Sequence, residues 1–417
     1  MSGTFAHARW FAVSLLLAGW VCGPLAAAVG AADQPKSAPD AVASKARAFT
    51  EKLGGSHAGH FLVGMGNDGT NSGDDPAYEL GVTLDLHYHY FVGLSTEGGW
   101  PTWNSNPDYA GKRIAEAKRH GTIPMFTYYC MAAHGENNLA GSIGNAQYMA
   151  TYFRDYLQLL ATIKASGSPA VVQLEPDLWG FAQQAASAAG GADKVSAKVA
   201  VSGARECSRE PDTLVGLGRC LIALARSRAP QALVGMHASG WASKVDVLLN
   251  TNPKLDIEAE AGKTAAFLRA VGAADGDFIS IDFSDRDAGC YEAGYAEKGN
   301  TICSKRSGVY WDEANVALPN FHQALAWSAA IARGLSIPIL WWQLPFGVPS
   351  SVPGGKPGHF RDNRVHYIFG HINEFVAAGG VGAVWGTGAG GQTFVTGDGD
   401  AFKKAVNNYL RDPVRLR

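Results

Sequence analysis

Two hydrophobic patterns alternate along the chain from about residue 60 onward. Short, almost unbroken apolar runs are typical of strands buried on both faces. The longer segments between them repeat apolar residues at three- and four-residue steps, as amphipathic helices do, and Tyr152, Tyr156 and Leu160 show this helical spacing. The predicted strands are His60–Met65, Val82–His89, Thr122–Tyr129, Ala170–Glu175, Ala232–His237, Asp277–Phe283, Ile337–Gln343 and Gly382–Trp385.

The predicted helices lie between these strands, with one before the first strand and one near the end of the chain. Gly121, Gly167 and Gly334 stand where a helix has to stop before the next strand begins. The predicted helical segments cover residues 41–53, 106–121, 145–167, 212–230, 263–274, 318–336, 363–380 and 399–412.

Eight strands separated by helices indicate an α/β protein with a parallel sheet. This number of strands favours a single closed (β/α) barrel of the TIM type, regular or distorted. A doubly wound open sheet is the alternative. We therefore expect residues 56–417 to form one barrel-shaped catalytic domain.

The first 31 residues have the composition of a secretory signal peptide. His7 and Arg9 precede a long apolar core that ends in small residues, and we expect cleavage between Ala28 and Ala32. An uncleaved N-terminal membrane anchor is the alternative. We expect a linker and one helix over residues 32–55, and a secreted or periplasmic protein that leaves the membrane after cleavage.

Five cysteines follow Cys22, and four of them form two pairs with the same spacing. Each pair lies in a polar, loop-like stretch, so in an exported protein we predict two local disulfides, Cys207–Cys220 and Cys290–Cys303. Cys130 ends an apolar strand and is expected to be a buried thiol. The spacings do not match a zinc knot, and we predict no metal site.

The chain carries little charge for its length. Charged residues make up 17% of the 417 residues and the formal net charge is −2, whereas an ordinary soluble domain is about 25% charged. Such a surface has no electrostatic footprint for nucleic acid or for an anionic membrane and suits an uncharged partner. We expect a monomer that uses no cofactor.

Candidate chemistry gathers where the predicted strands end, because active sites of parallel barrels form at that edge. Carboxylates and aromatic rings are frequent there. In strand order the residues are Gly66, Asn67 and Asp68; Asp85, His87, Tyr88, His89 and Tyr90; Tyr128 and Tyr129; Glu175, Asp177 and Trp179; His237, Ser239 and Trp241; Asp282, Asp285, Arg286 and Asp287; Trp341, Trp342 and Gln343; and Trp385.

Paired carboxylates, one protonated and one ionised, are the usual means of splitting glycosidic bonds. Aromatic faces stack on sugar rings, so we expect a polysaccharide or oligosaccharide substrate. Arg286 could hold Asp282 and Asp285 ionised by charge pairing. The predicted catalytic residues are Asp177, Glu175, Asp282 and Asp285, and the predicted substrate-binding residues are Tyr129, Trp179, His237, Trp241, Arg286, Trp342, Gln343 and Trp385.

Each of these signals also has a plainer structural explanation. The Glu-Pro-Asp segment at residues 175–177 is typical of a turn that starts a helix. Residues 284–287 could form a structural ion-pair network. Trp341 and Trp342 alternate along a strand, so we expect one of them to fill the barrel.

Four segments between about Ile123 and Gly289 resemble family 6 glycoside hydrolases, the inverting cellulases built on a distorted β/α barrel. "VVQLEPDLWGF" is similar to the family's Ile-Glu-Pro-Asp strand end, and "YYCMAAHGE" to its Asp-Cys-Ala-Ala segment. "GMHASGW" and "FISIDFSDRDAG" resemble its two following strand ends. The four segments occur in the family's order.

The resemblance implies a role for each matched residue. Asp177 would be the general acid that protonates the leaving oxygen, and Glu175 a supporting carboxylate that tunes it. His237 and Trp241 would contact sugar, and Asp282 with Arg286 would belong to the architecture of the site.

The sequence also departs from the family pattern. Tyr129 and Val234 stand where the family has acids, and residues 386–400 replace the loop that carries a candidate base. An inverting enzyme needs a base ~6.5–9.5 Å from the acid. The candidates for that base are Asp282, Asp285, Asp398 and Asp400.

Three hypotheses follow from these observations. The leading one is a secreted glycoside hydrolase that cleaves a neutral, β-linked glucan by acid/base catalysis with inversion. The second is a secreted carbohydrate-binding protein on a hydrolase-like barrel that has lost catalysis, as Tyr129 and Val234 would suggest. The third is a metal-dependent hydrolase that uses His87 or His89 with Asp85.

Overall fold

Eight parallel strands close into a barrel in the computed structural model of this protein, which describes residues 37–66, 76–103, 108–349 and 355–416. The strands are β1 Leu62–Gly66, β2 Leu86–Val92, β3 Ile123–Tyr129, β4 Ala170–Leu174, β5 Ala232–His237, β6 Phe278–Ile281, β7 Ala296–Glu297, β8 Asn300–Thr301, β9 Ile339–Leu344 and β10 Gly380–Trp385. Around the barrel the order is β1-β10-β9-β6-β5-β4-β3-β2, while β7 and β8 pair separately as an antiparallel ribbon. The predicted closed α/β barrel is confirmed.

Helices surround the barrel, and most of the helices that follow a barrel strand lead the chain back to the edge where the next strand starts. The α-helices are α1 Ala38–Leu53, α2 Tyr109–His120, α3 Ala146–Ser166, α4 Pro176–Ala189, α5 Leu214–Arg228, α6 Ile257–Ala270, α7 Ala288–Ala293, α8 Phe321–Leu335, α9 Arg364–Gly370, α10 Ile372–Ala377 and α11 Ala401–Tyr409. The helical patterns of the sequence did not predict α4 or α7. The sequence of α4 consists mostly of apolar and small residues, so no single apolar stripe marks it as a helix.

Glycine ends two of the predicted helices in the expected way. Gly121 and Gly167 follow α2 and α3 in the left-handed conformation, at φ 69° and 64°. The prediction for Gly334 was wrong, because α8 continues to Leu335 and Ser336 takes the left-handed position at φ 56°.

The β2 strand lies further along the chain than predicted. It covers Leu86–Val92 rather than Val82–His89, because aromatic residues continue the alternation beyond the predicted end. Asp85 therefore precedes the strand, at the edge of the barrel opposite the strand ends. There its buried carboxylate accepts the backbone N–H of Val63 at 2.9 Å and lies 2.9 Å from His57 Nδ1 and 3.1 Å from His60 Nε2.

Both predicted disulfides, Cys207–Cys220 and Cys290–Cys303, are present, and Cys130 is a buried free thiol. The predicted signal peptide lies outside the described residues. Within the described ranges, no helix has the length and apolar character needed to cross a membrane.

Candidate active site

A cleft of about 620 Å³ opens at the edge of the barrel where the strands end. Aromatic rings, three aspartates, a glutamate and one arginine form its walls. The lining residues are Tyr90, Val92, Tyr129, Glu136, Asp177, Phe181, His237, Trp241, Asp282, Asp285, Arg286, Trp342, Gln343 and Gly388. Nine of the twelve residues predicted for catalysis or substrate binding are therefore brought together.

The turn from β4 into α4 sends two neighbouring carboxyl groups to different places. Glu175 takes the left-handed conformation at φ 47°, and Pro176 occupies the first helical position, where its missing N–H costs nothing. The carboxyl of Glu175 is fully buried and accepts the backbone N–H groups of Cys130 at 2.9 Å and Met131 at 3.2 Å. It therefore fastens β4 to the loop after β3 and does not line the cleft.

Burial is the main cause of the raised pKa of Glu175. It raises the pKa of this carboxyl to about 8, although the two backbone N–H groups lower it. The predicted role of Glu175 as a supporting carboxylate stays a prediction, but any such effect has to act through the backbone or through space.

Asp177 lies in the first turn of α4 and faces the cleft. Its Oδ2 accepts a hydrogen bond from the Tyr129 hydroxyl at 2.8 Å. Burial raises the pKa of Asp177 to about 6, and the charges of Glu136 and Asp282 add to this increase, while Tyr129 and His237 oppose it. The side chain is thus neither turned away from the cleft nor paired directly with a cation.

Glu136 is a cleft residue that the sequence patterns did not predict. It follows β3 in an exposed loop, and its Oε1 lies 2.7 Å from the same Tyr129 hydroxyl that contacts Asp177. Glu136 is the last residue of the "YYCMAAHGE" segment, close behind a barrel strand. That position was the sequence feature that could have identified it as a site residue.

A chain of hydrogen bonds crosses the interior of the barrel and ends at the cleft. Thr127 donates to Gln173, and Gln173 donates to Ser280, each over 2.8 Å. The Ser280 hydroxyl lies 3.1 Å from Nδ1 of His237, and the other ring nitrogen, Nε2, lies 3.1 Å from Oδ1 of Asp282. The network holds the buried imidazole in one orientation and places Asp282 on the wall of the cleft.

Asp285 and Arg286 form an ion pair beside Asp282. Desolvation raises the pKa of Asp285, and the charge of Arg286 opposes that effect. The Nε of Arg286 also donates to the carbonyl of Ile302 at 3.1 Å, directly before the disulfide cysteine Cys303. The disulfide-bonded loop therefore helps to hold the Arg286 side chain in position.

Aromatic rings form two groups in the cleft. The ring of Trp342 meets Tyr90 and His237 edge to face, with centroids 5.8 Å apart in both cases. Trp241 packs against Phe181 at 4.7 Å. The partner of Trp342 along the strand, Trp341, points away from the cleft and is fully buried, as the alternation predicts.

Two of the predicted sugar contacts are wrong. Trp179 is 1% exposed and donates its indole N–H to the Leu174 carbonyl at 2.9 Å; two residues after Asp177, it is turned by about 200° around the helix. Trp385 is fully buried and stacks on Phe369 at 5.1 Å. Neither ring lines the cleft.

The distant candidates for the base are also excluded by their positions. Asp398 is fully buried and accepts the backbone N–H of Phe402 at 2.8 Å, so it caps α11. Asp400 is exposed in the left-handed position directly before that helix. Asp282 and Asp285 are the two candidates that line the cleft.

The residues of the metal hypothesis do not converge. His87 and His89 are neighbours, with ring centroids 4.3 Å apart, but the carboxylate of Asp85 is engaged by His57 and His60. Within the part of the chain that the structure describes, no group of three or more candidate ligands could hold a metal ion. Asn67 and Asp68, which follow β1, lie outside the described residues.

No protein-family model and no curated protein sequence matches the chain. Among solved structures, an endo-β-1,4-mannanase double mutant from Cellulomonas fimi is similar, with 15% identity over 90% of this chain and 76% of that chain and a TM-score of 0.48. A β-1,4-mannanase from the sea hare Aplysia kurodai is 15% identical over 86% of this chain and 96% of that chain, with a TM-score of 0.42. The endoglucanase Cel6 from Mycobacterium tuberculosis is 14% identical over 70% of this chain and 73% of that chain, with a TM-score of 0.32.

With identities this low and TM-scores below 0.5, these likenesses say nothing about the substrate or the reaction of this chain. The resemblance to family 6 glycoside hydrolases stays a prediction.

Proposed function

We propose that the protein is a glycoside hydrolase that cleaves a neutral polysaccharide by acid/base catalysis. The observation that carries the proposal is the position of Asp177: its carboxyl faces the cleft, and burial raises its pKa to about 6. A carboxyl with such a pKa keeps its proton under mildly acidic conditions and can deliver it to a leaving oxygen.

We assign the role of base to Asp282. One of its oxygens lies 3.1 Å from Nε2 of the fixed His237 ring, which leaves the other oxygen to accept a proton from water. Asp285 is less suited to this role because its carboxylate is engaged by Arg286. An acid and a base on separate strand ends, with water between them, would give inversion at the sugar carbon.

The walls of the cleft support a neutral, β-linked glucan as the substrate. Trp342, Trp241 and Phe181 offer ring faces and edges to sugar rings, and Gln343 and Arg286 offer polar groups to hydroxyls. The predicted signal peptide and the two disulfides support secretion, where such polymers are met.

The test measures reducing ends released from a panel of glucans, mannan, xylan and chitin. Asp177→Asn and Asp282→Asn should each lower turnover by about 10²–10⁴-fold, while the matched variant Asp400→Asn, at an exposed site outside the cleft, should keep the wild-type rate. Wild-type turnover in Asp177→Asn would contradict the proposal.

The second candidate, a carbohydrate-binding protein without catalysis, is favoured by Tyr129 and by the fully buried Val234, which stand where the resembling family has acids. Trp342 and Trp241 line the cleft and would report binding. Quenching of tryptophan fluorescence by an oligosaccharide, with no product from any polymer, would favour this candidate.

A further inference from the structure

One hydroxyl group joins two carboxyl groups at the mouth of the cleft. The Tyr129 oxygen lies 2.8 Å from Oδ2 of Asp177 and 2.7 Å from Oε1 of Glu136. A phenol has a single hydrogen to donate, and an ionised carboxylate can only accept. If both carboxyls were ionised, one of the two short contacts would join a pair of acceptors with no hydrogen between them.

Tyr129 cannot resolve this conflict by ionising. Burial and the neighbouring carboxylates raise the pKa of the phenol far above its usual range, so the hydroxyl keeps its hydrogen at every pH at which the protein functions. Both contacts are satisfied only when one carboxyl carries a proton and donates it to the phenol oxygen.

We propose that Glu136 is a positioning residue for Asp177 and that the two carboxyls share one proton through the Tyr129 hydroxyl. This inference deepens the proposed function and takes its catalytic meaning from it. In one form Asp177 holds the proton and donates to Tyr129, which donates to Glu136. In the other form both hydrogen bonds are reversed. One hydrogen crosses each bond during the exchange, and the phenol stays neutral.

The sharing explains how Asp177 can be reloaded. When Asp177 gives its proton to the leaving oxygen, its O–H bond breaks and both carboxyls are left ionised. Glu136 is exposed and takes a proton from the solvent, to which Asp282 releases the proton that it accepted from the attacking water. Transfer of that proton to Tyr129, and of the phenol hydrogen to Asp177, restores the acid.

Other groups around Asp177 also influence it. Tyr90 faces it from β2, His237 from β5, and Asp282, Asp285 and Arg286 from the segment that starts at the end of β6. The contacts described for these groups do not join Asp177 to a second carboxyl through a hydrogen bond, so the coupling to Glu136 can be tested separately.

The experiment follows the carboxyl groups themselves, in substrate-free protein labelled with ¹³C at the aspartate and glutamate carboxyls. Loss of one signal in Asp177→Asn and of another in Glu136→Gln assigns the pair. In the wild type, the Asp177 signal should titrate in two steps, because its proton is shared with a second carboxyl. The variants Glu136→Gln and Tyr129→Phe should move the titration midpoint of the Asp177 signal in opposite directions.

Glu136→Gln removes a negative charge, so Asp177 should titrate in one step at lower pH, with a shift on the order of one pH unit. Tyr129→Phe removes the hydrogen bond that stabilises the ionised form, so the midpoint of Asp177 should move upward. Glu97→Gln is the matched control on the same rim, where Glu97 pairs with His134 at 3.3 Å, and it should leave the Asp177 signal unchanged.

A one-step titration of the Asp177 signal in the wild type, or an Asp177 midpoint that neither variant moves, would overturn the inference. Coupled titration in a protein that releases no sugar would retain the shared proton and refute the proposed hydrolase function. A one-step titration of Asp177 in an enzyme that releases sugar would refute the shared proton and retain the proposed hydrolase function.

Discussion

The imidazole of His237 lies 3.1 Å from the carboxylate of Asp282 through Nε2 and 3.1 Å from the Ser280 hydroxyl through Nδ1. The ring is 2% exposed, so its position is set by the barrel interior and not by solvent. The proposed base is therefore held by a residue on the neighbouring strand, and its geometry depends on the hydrogen-bond chain behind that residue.

Substitution of His237 tests whether this support matters for turnover. His237→Asn should lower kcat by a part of the roughly 10²–10⁴-fold that a positioned base contributes, because Asp282 loses its fixed partner. His366→Asn, at an exposed histidine outside the cleft that pairs with Glu313, is the control and should leave kcat unchanged. Equal kcat values for the two variants would show that His237 does not position Asp282.

The pH dependence of kcat/KM tests the protonation of Asp177. Only the protonated form can donate to the leaving oxygen, so activity should be lost as the pH rises through about 6, the pKa set by burial and by nearby carboxylates. Glu136→Gln should move this alkaline limb to lower pH. A limb that stays in place in that variant would mean that another group controls it.

The stability of the protein should also depend on Asp177. Burial raises the pKa of this carboxyl from 3.8 to about 6 in the folded protein, so the folded protein binds the proton more tightly. The resulting stabilisation is complete below the unfolded pKa and is lost as the pH rises through the folded pKa. The difference in Tm between Asp177→Asn and the wild type should therefore be more positive at pH 8 than at pH 4; the same difference at both pH values would contradict this.

Glu175 should matter for stability more than a surface glutamate does. Glu175→Ala leaves the N–H groups of Cys130 and Met131 buried without their acceptor. Each unsatisfied group costs about 1–3 kcal/mol, so the free energy of unfolding should fall by about 2–6 kcal/mol in urea denaturation. Glu206→Ala removes a partly exposed ion pair with Arg228 and should cost less than about 1 kcal/mol. Similar losses in both variants would refute the structural role.

The two disulfides form a matched pair, because each joins cysteines separated by 13 residues. Replacing either pair by serines should lower the free energy of unfolding by a similar amount, about 3 kcal/mol. Only loss of Cys290–Cys303 should also lower kcat/KM, since this loop carries the Ile302 carbonyl that holds Arg286. Equal effects of both double variants on kcat/KM would contradict that role.

Local sequence patterns predicted the strands well because each barrel strand is a short apolar run. A folded chain can bury such a run in few other ways. They were less informative where few polar residues interrupt the apolar and small ones. The α4 helix was missed for this reason, and β2 was placed too early because its aromatic residues continue past the predicted end.

The amino-acid sequence by itself determined the class of fold, the number of barrel strands, both disulfides and the edge of the barrel where polar groups gather. Each of these depends on the periodicity of apolar residues or on spacing along the chain. Only the tertiary structure decided which side chains reach the cleft. Glu175 and Asp177 are two residues apart, yet one fastens the backbone and the other faces the cleft, because Glu175 itself takes the left-handed conformation and turns the chain into α4. Glu136 and Asp177 are joined by Tyr129 although β3 and α4 are distant in sequence, and only the parallel pairing of β3 with β4 brings them together.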